Sequence, residues 1–336
     1  MPVQETSAAP ALRTVWTASD PLLEVRGLEV RLPVRTGTFQ RATAHVRALG
    51  GLDLSVHQGE TLAVVGASGS GKTNLARSIL RLLEPDAGEV FFKGVDLLRL
   101  SPAAFRPLRR ELGIVFQDPY RALDPRQTAA EILAEPLRVS GGGGTRTERQ
   151  ERVGALLDLV GLPAAVGGRY PHELTGEVRQ RLAIARALAL EPSLLVCDEP
   201  TSALEPAAQA RTLELLQRLR EKLHLTYLLL VHEGSSARQA ADRVAVMHQG
   251  RVVEAGAPAE LQRRPRHPHT ASLFAAERAH PPQDRAAWGP APDLARSCAH
   301  WIRCPNASER CVRERPPLEV VQVDGHQVAC FHPLEP

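Results

Sequence analysis

No apolar run in this chain of 336 residues approaches the roughly 18 needed to cross a bilayer. The most apolar stretches, Leu194–Cys197 and Tyr227–Val231, have the length of buried strands. The N-terminus lacks a basic start followed by an apolar segment, so a secretory signal is not expected and the protein is read as intracellular. A large charge of one sign is missing as well. The net charge of +3 and pI near 8.7 suit a mixed, solvated surface rather than a nucleic-acid face. Lysine is scarce: of 41 basic residues only Lys72, Lys93 and Lys222 are lysines. A lysine kept against that background marks a place where a compact ammonium is needed and a planar guanidinium does not fit. Cysteine is scarce too. Five residues, an odd number without an export signal, argue against a disulfide framework.

The remaining composition is that of a folded protein, with 43% hydrophobic and 24% charged residues. The length allows one large core and a further module. Residues 1–20 read as a loose leader of small and polar residues. From Leu22 to Val56, β-prone segments alternate with turn-like stretches. Glu60–Val65 reads as a buried strand, followed by a glycine-rich turn and a helix from about Lys72 to Leu83. Ser101–Leu112 reads as helix and Gly113–Phe116 as a short strand. The amphipathic pattern over Gln127–Leu162 is broken at Ser140–Gly144, where four glycines in succession suit a flexible linker. Helix, strand, helix, strand and helix then follow between Glu177 and Ala241, the order of parallel βαβ units. Arg243–Met247 and Arg251–Glu254 read as a hairpin, and periodicity fades beyond a boundary placed near residue 262.

Gly66-Ala67-Ser68-Gly69-Ser70-Gly71-Lys72-Thr73 matches the phosphate-binding pattern G-x-x-x-x-G-K-[ST], with a strand before it and a helix after it. Its glycines let backbone N–H groups converge on phosphate oxygens. Lys72 is placed to reach the β- and γ-phosphates of a nucleotide, and Thr73 to bind Mg²⁺. The apolar run Leu194–Cys197 delivers Asp198 at a strand end, where an acid suits the Mg²⁺ site. Glu199 is the candidate general base for a water attacking the γ-phosphate. Cys197 reads as a small buried strand residue rather than a reactive thiol. His232 ends the next strand, where parallel sheets bind ligands, and is assigned a phosphate contact. Gln117 follows the strand Ile114–Phe116 and is a candidate holder of the metal or the attacking water.

Taken in order, the phosphate loop, Phe116-Gln117-Asp118-Pro119, Tyr170–Leu174, Arg179-Gln180-Arg181, Asp198–Leu204 and His232 resemble the ATP-binding subunits of ABC transporters. The likeness covers roughly residues 22–262. Within that superfamily the chain most resembles the ATPase subunits of oligopeptide, dipeptide and nickel importers. The marks are the long insert Arg35–His45, the run His267-Pro268-His269-Thr270, in which that family usually carries an aromatic third, and the C-terminal cysteines. The resemblance implies an α/β fold: a RecA-like P-loop NTPase core with an antiparallel β subdomain and a helical subdomain at about 118–175. A cysteine-containing extension over 263–336 follows the ATP-binding domain at 21–262. It implies ATP and Mg²⁺ as cofactors, a membrane-permease partner contacted near Gln117–Asp124, and a second ATP-binding subunit. The protein would then be an ATPase, peripheral on the cytoplasmic membrane face, that energises import of peptides or related solutes. A non-transport ABC protein, a soluble ATPase or an ATP-binding regulatory module, is the alternative.

In such subunits ATP is sandwiched between one chain's phosphate loop and the other's signature, L-S-G-G-Q. Here that signature reads Leu174-Thr175-Gly176-Glu177-Val178. Thr175 and Gly176 are therefore the expected contacts given to the partner's nucleotide, and the Glu177 carboxylate is expected to repel its γ-phosphate unless its side chain swings into solvent. Glu205 and Glu233-Gly234 also depart from the pattern, and Val30–Val34 offers no aromatic for adenine, leaving Arg31 to stack. The cysteines Cys298, Cys304, Cys311 and Cys330 are spaced C-x5-C-x6-C-x18-C, without the tight pairs of structural zinc sites. The resemblance suggests a [4Fe–4S] cluster on these four. Zinc, or four unligated thiols, are the other readings.

Overall fold

The computed structural model describes residues 16–17, 19–36, 41–141, 144–274, 296–321 and 325–335. Most of the expected leader, and the centre of the glycine run after Ser140, lie outside them. In chain order, β1 (Leu23–Thr36) and β2 (Arg41–Val56) form a long antiparallel hairpin, and β3 (Thr61–Val65) leads to α1 (Lys72–Ile79). β4 (Ala87–Phe92) and β5 (Val95–Asp96) are followed by α2 (Pro102–Leu108) and β6 (Leu112–Val115). Four helices come next: α3 (Pro119–Ala122), α4 (Ala129–Val139), α5 (Arg146–Leu159) and α6 (Gly176–Leu188). β7 (Leu194–Asp198), α7 (Pro206–Leu223), β8 (Thr226–Val231), α8 (Gly234–Ala240), β9 (Arg243–His248) and β10 (Arg251–Gly256) complete the expected alternation and hairpin. α9 (Pro258–Arg263), α10 (Pro268–Phe274), α11 (Glu309–Arg313), β11 (Glu319–Val320) and β12 (Gln327–Val328) lie beyond. No helix of the described residues is long and apolar enough to cross a membrane.

Two sheets result. The smaller is antiparallel, ordered β2-β1-β4-β5; the larger is ordered β11-β12-β10-β9-β3-β8-β7-β6. Neighbours from β9 to β6 run parallel, with β3 between β9 and β8. Side chains alternate across a strand, so each parallel strand serves two cores. Ala63, Val65, Leu195, Cys197, Leu229 and Val231 face α4, α5, α6 and α7. Leu62, Val64, Leu194, Val196, Leu228 and Leu230 face α1 and the antiparallel sheet. Burial on both faces explains why these strands read as unbroken apolar runs rather than alternating ones. Thr128 with Glu131 and Thr145 with Glu148 form capping boxes that start α4 and α5 at the T-x-x-E patterns in the sequence.

The chain beyond residue 262 adds to the larger sheet. β12 pairs antiparallel with β10 through Glu254 and Ala255, and β11 pairs with β12. Arg251 bonds Gly50 O at 3.0 Å and Ser297 O at 3.1 Å, and Arg315 bonds Gly51 O at 2.7 Å. The buried Glu254 carboxylate accepts from the backbone N–H groups of Arg266 and His267 and meets His326 Nε2 at 2.7 Å. A sequence search for a boundary sees periodicity fade here because the segment is held by polar anchors and short strands instead of an amphipathic face.

Candidate nucleotide site

Four parallel strands end at one edge, and each delivers a functional side chain there. β3 delivers the phosphate loop, β7 delivers Asp198 and Glu199, and His232 and Gln117 follow β8 and β6. The loop leaves β3 with Gly66 N–H donating to Val231 O at 3.3 Å and turns back through Ser70 N–H to Ala67 O at 3.1 Å. Its glycines are required by space. A Cβ at Gly66 would sit 2.5 Å from Met247 O, and one at Gly71, where φ is +107°, 2.5 Å from Ala48 O. Gly250 N–H donates to Ser70 O at 2.7 Å, so the β9–β10 turn braces the loop.

Lys72 begins α1 and is buried, 4% exposed. Its Nζ donates to Gly66 O at 2.6 Å and Ala67 O at 3.2 Å, and lies 3.4 Å from both Glu199 Oε1 and His232 Nδ1. Burial pushes its pKa down, opposed by the Glu199 and Asp198 carboxylates. Thr73 Oγ1 donates to Asp198 Oδ1 at 3.1 Å. Burial raises the Asp198 pKa, and the Thr73 hydroxyl works against it. Glu199 gathers the remaining members: Gln117 Nε2 donates to its Oε2 at 2.6 Å, and His232 Nε2 meets the same oxygen at 2.6 Å. Its backbone is left-handed at φ +49°, held by its N–H bonding Leu230 O at 3.0 Å. A non-glycine residue there costs about 1–2 kcal/mol, a strain found where a side chain must be aimed. The Ser70 hydroxyl is buried with no hydrogen-bond partner.

The structure thus brings together Lys72, Thr73, Asp198, Glu199, His232 and Gln117. A loop of converging N–H groups, a buried ammonium, and a paired hydroxyl and carboxylate suit a nucleotide's phosphates with Mg²⁺. The orphaned Ser70 hydroxyl fits the same ligand, which supplies oxygen acceptors where the protein offers none. Thr175 and Gly176 have other contacts. Thr175 Oγ1 caps α6 by accepting from Val178 N–H at 3.4 Å, and a Cβ on Gly176 would face Leu204 at 3.7 Å. Arg31, proposed for adenine, is tied to Glu29 at 3.5 Å.

A model of the ABC transporter family matches residues 49–202. The oligopeptide transport ATP-binding protein AppF of Bacillus subtilis is 39% identical over 321 residues, spanning 93% of this chain and 97% of that protein. The chain belongs to the ABC transporter family as an ATP-binding protein. A putative peptide import ATP-binding protein of Brucella ovis is 40% identical over 318 residues, spanning 93% of the cassette chain and 98% of its relative. The solved dimer of a bacterial ABC transporter cassette is 28% identical with a TM-score of 0.63, covering 70% of this chain and 98% of its own. A further dimeric structure of that cassette, with a TM-score of 0.62, is a post-hydrolysis state bound to ADP and phosphate. The protein is accordingly an ATPase of the P-loop class.

One expectation needs correction. The Glu177 carboxylate is not a bare charge at the start of α6. Arg211 grips it bidentately, Nε to Oε1 at 3.1 Å and NH2 to Oε2 at 2.7 Å, and Arg181 NH2 reaches Oε1 at 3.0 Å. These arginines hold its pKa down at about 2, the Arg211 bonds contributing most. Two guanidinia against one carboxylate leave the group with a net positive charge, so the expected repulsion of a γ-phosphate does not follow. The Arg181 pairing is legible as an i, i+4 spacing; the Arg211 pairing, across to α7, is not.

The depressed pKa carries a stability prediction. The clamp should contribute fully above the usual carboxylate value of 4.5 and be lost as pH falls toward about 2. Because the Arg211 side chain is 51% exposed, the contribution should stay below about 1 kcal/mol. Urea unfolding of wild type and Glu177→Gln should differ at pH 6 and converge toward pH 3. A gap that widens in acid would contradict the pairing.

In the C-terminal segment Cys298, Cys304 and Cys311 are buried and Cys330 is half-buried. Cys298 N–H donates to Cys311 O at 2.8 Å, Ser308 N–H approaches Cys311 Sγ at 3.5 Å, and His332 links Ser308 Oγ at 2.7 Å with Cys330. Burial, and then the neighbouring thiols, raise the Cys298 and Cys330 pKa values to about 11 and about 12. Cys197 is fully buried in β7 with its thiol pushed up by burial, which makes it inert as expected.

Proposed function

We propose that this cassette is the ATP-hydrolysing subunit of an importer of peptides or related small solutes, peripheral on the cytoplasmic face of the membrane. The observation that carries the ATPase reading is the meeting of Lys72, Gln117 and His232 on Glu199, beside Asp198 and Thr73. Thr73, Asp198 and Gln117 would hold Mg²⁺, which neutralises phosphate charge when bound. Lys72 would trade its loop carbonyls for phosphate oxygens, and Glu199, released from Lys72, would orient and deprotonate the attacking water. His232 and Gln117 keep that carboxylate aimed. Thr175 and Gly176 would complete the nucleotide site of a second ATP-binding subunit, and the surface near Gln117–Asp124 would meet the permease. Solute choice is assigned to peptides on the strength of relatives named for peptide import. On this reading residues 21–262 are the ATP-binding domain, with a helical subdomain at about 118–175, and 263–336 are its extension.

We assign the four C-terminal thiols to a [4Fe–4S] cluster rather than zinc, as the family resemblance suggests. Tetrahedral zinc with Zn–S near 2.3 Å needs sulfurs about 3.8 Å apart. Among the described residues the compact group able to hold one ion is formed by histidines, not by these cysteines. Cys298, Cys304, Cys311 and Cys330 would hold the cluster, which would staple the extension together. One anaerobic purification from native membranes tests the reading. The cassette should emerge with a polytopic permease and a second ATP-binding chain, and carry about four irons per copy. Recovery without any permease would favour the non-transport alternative, and colourless protein with stoichiometric zinc on sulfur would reject the cluster.

A further inference from the structure

Three imidazoles converge where the C-terminal extension meets the end of β9. They come from His248 at the end of β9, His269 in α10 and His300 between Cys298 and Cys304. One nitrogen from each lies within 4.8 Å of the others. The ring centroids are 3.9 Å apart for His248 and His269, 5.2 Å for His269 and His300, and 5.3 Å for His248 and His300. We propose that His248, His269 and His300 form a binding site for a divalent transition metal of the zinc class, distinct from the nucleotide site and the four thiols.

The donor set has the right chemistry, since imidazole nitrogen suits zinc, nickel and copper, and three histidines leave a position for solvent. A tetrahedral site with Zn–N near 2.0–2.1 Å needs nitrogens about 3.3 Å apart. The rings must therefore close by an ångström or so on binding the ion. An independent sign is that His269, only 9% exposed, keeps its Nε2 buried with no hydrogen-bond partner. Such an atom loses its hydration on folding, and a metal ion that takes its lone pair would restore a partner. The His248 ring lies against the backbone of Ala299, beside His300.

The surroundings extend the same logic. The backbone N–H of His269 donates to His267 Nδ1 at 3.0 Å, and the backbone N–H of His267 donates to the buried Glu254 carboxylate at 2.9 Å. These backbone bonds fix the segment that carries His269. The three residues belong to separate segments, so an ion here would tie the extension to β9. It would also stiffen the turn whose Gly250 N–H bonds Ser70 of the phosphate loop. An aromatic ring at position 269 would fill the same space without a lone pair.

Full-length protein, prepared anaerobically and treated with a mild chelator, should be titrated with Zn²⁺ alone. Wild type is expected to bind one ion whose X-ray absorption shows only nitrogen and oxygen ligands, and to unfold at a higher temperature with zinc present. His269→Phe and His248→Phe keep a ring for packing and should each weaken binding at least about tenfold. His172→Phe, on a distant exposed loop, should not. Sulfur in the zinc shell would assign the ion to the cysteines and overturn the proposal. So would undiminished affinity in both phenylalanine variants, or no binding by wild type, which would leave ring packing as the cluster's only role. Should a variant fail to fold, the wild-type ligand shell decides alone.

Discussion

Lys72→Ala is expected to abolish tight MgATP binding while leaving a folded protein. The ammonium is buried, donates to Gly66 O and Ala67 O, and stands 3.4 Å from Glu199. It is the loop's own cation, and its partners here are carbonyls that two phosphates would replace with charged oxygens. Hydrogen bonds to charged groups are worth about 1.5–3 kcal/mol each, so losing two should weaken nucleotide binding by at least about a hundredfold. Titration calorimetry with MgATP reads this directly, and unchanged affinity would overturn the site. Lys72→Arg should be nearly as damaging. A branched planar head cannot reproduce the point contacts that the ammonium makes with Gly66 O, Ala67 O and His232 Nδ1.

Lys72 also shows how much of the molecule the sequence discloses. The phosphate loop was legible because its chemistry is local: eight consecutive residues and the strand and helix around them specify the whole cradle. Asp198, Glu199 and His232 were legible for a related reason. In a parallel sheet all strands end at one edge, so residues that follow apolar runs in sequence meet in space. Gln117 carried no signal of its own, and its 2.6 Å bond to Glu199 comes from β6 lying beside β7.

What the sequence hid depends on tertiary placement. The Ser70 brace comes from the β9–β10 turn 180 residues later in the chain, and nothing in Gln249-Gly250 beyond a turn signal points to it. Glu177 was misjudged because its principal partner, Arg211, sits on another helix. His269 stands out in the sequence only as the odd third member of His267-Pro268-His269-Thr270, and nothing there links it to His248 or His300. Only the meeting of β9, α10 and the cysteine-bearing segment makes them one group.

Glu199→Gln should remove nearly all turnover yet leave MgATP binding intact. Glutamine keeps the size and the hydrogen-bonding reach of the side chain toward Gln117 and Lys72 but cannot take a proton from water. General-base catalysis contributes about 10²–10⁴-fold, so hydrolysis should fall by a factor in that range. The affinity for MgATP, which rests on Lys72, Thr73 and the loop, should hold. Combining this change with one at Glu177 separates chemistry from the contact given to the partner. A bare carboxylate about 4 Å from a phosphate charge would cost about 4 kcal/mol at an effective dielectric of 20, so removing it should raise turnover steeply. With Arg181 and Arg211 clamped on it, the opposite is expected: Glu177→Gly frees two arginines, loosens α6 against α7, and leaves turnover unchanged or lower. A several-fold rise in ATP hydrolysis by Glu177→Gly, abolished again by adding Glu199→Gln, would show that the carboxylate acts as an unscreened charge and that the clamp opens in the assembled dimer.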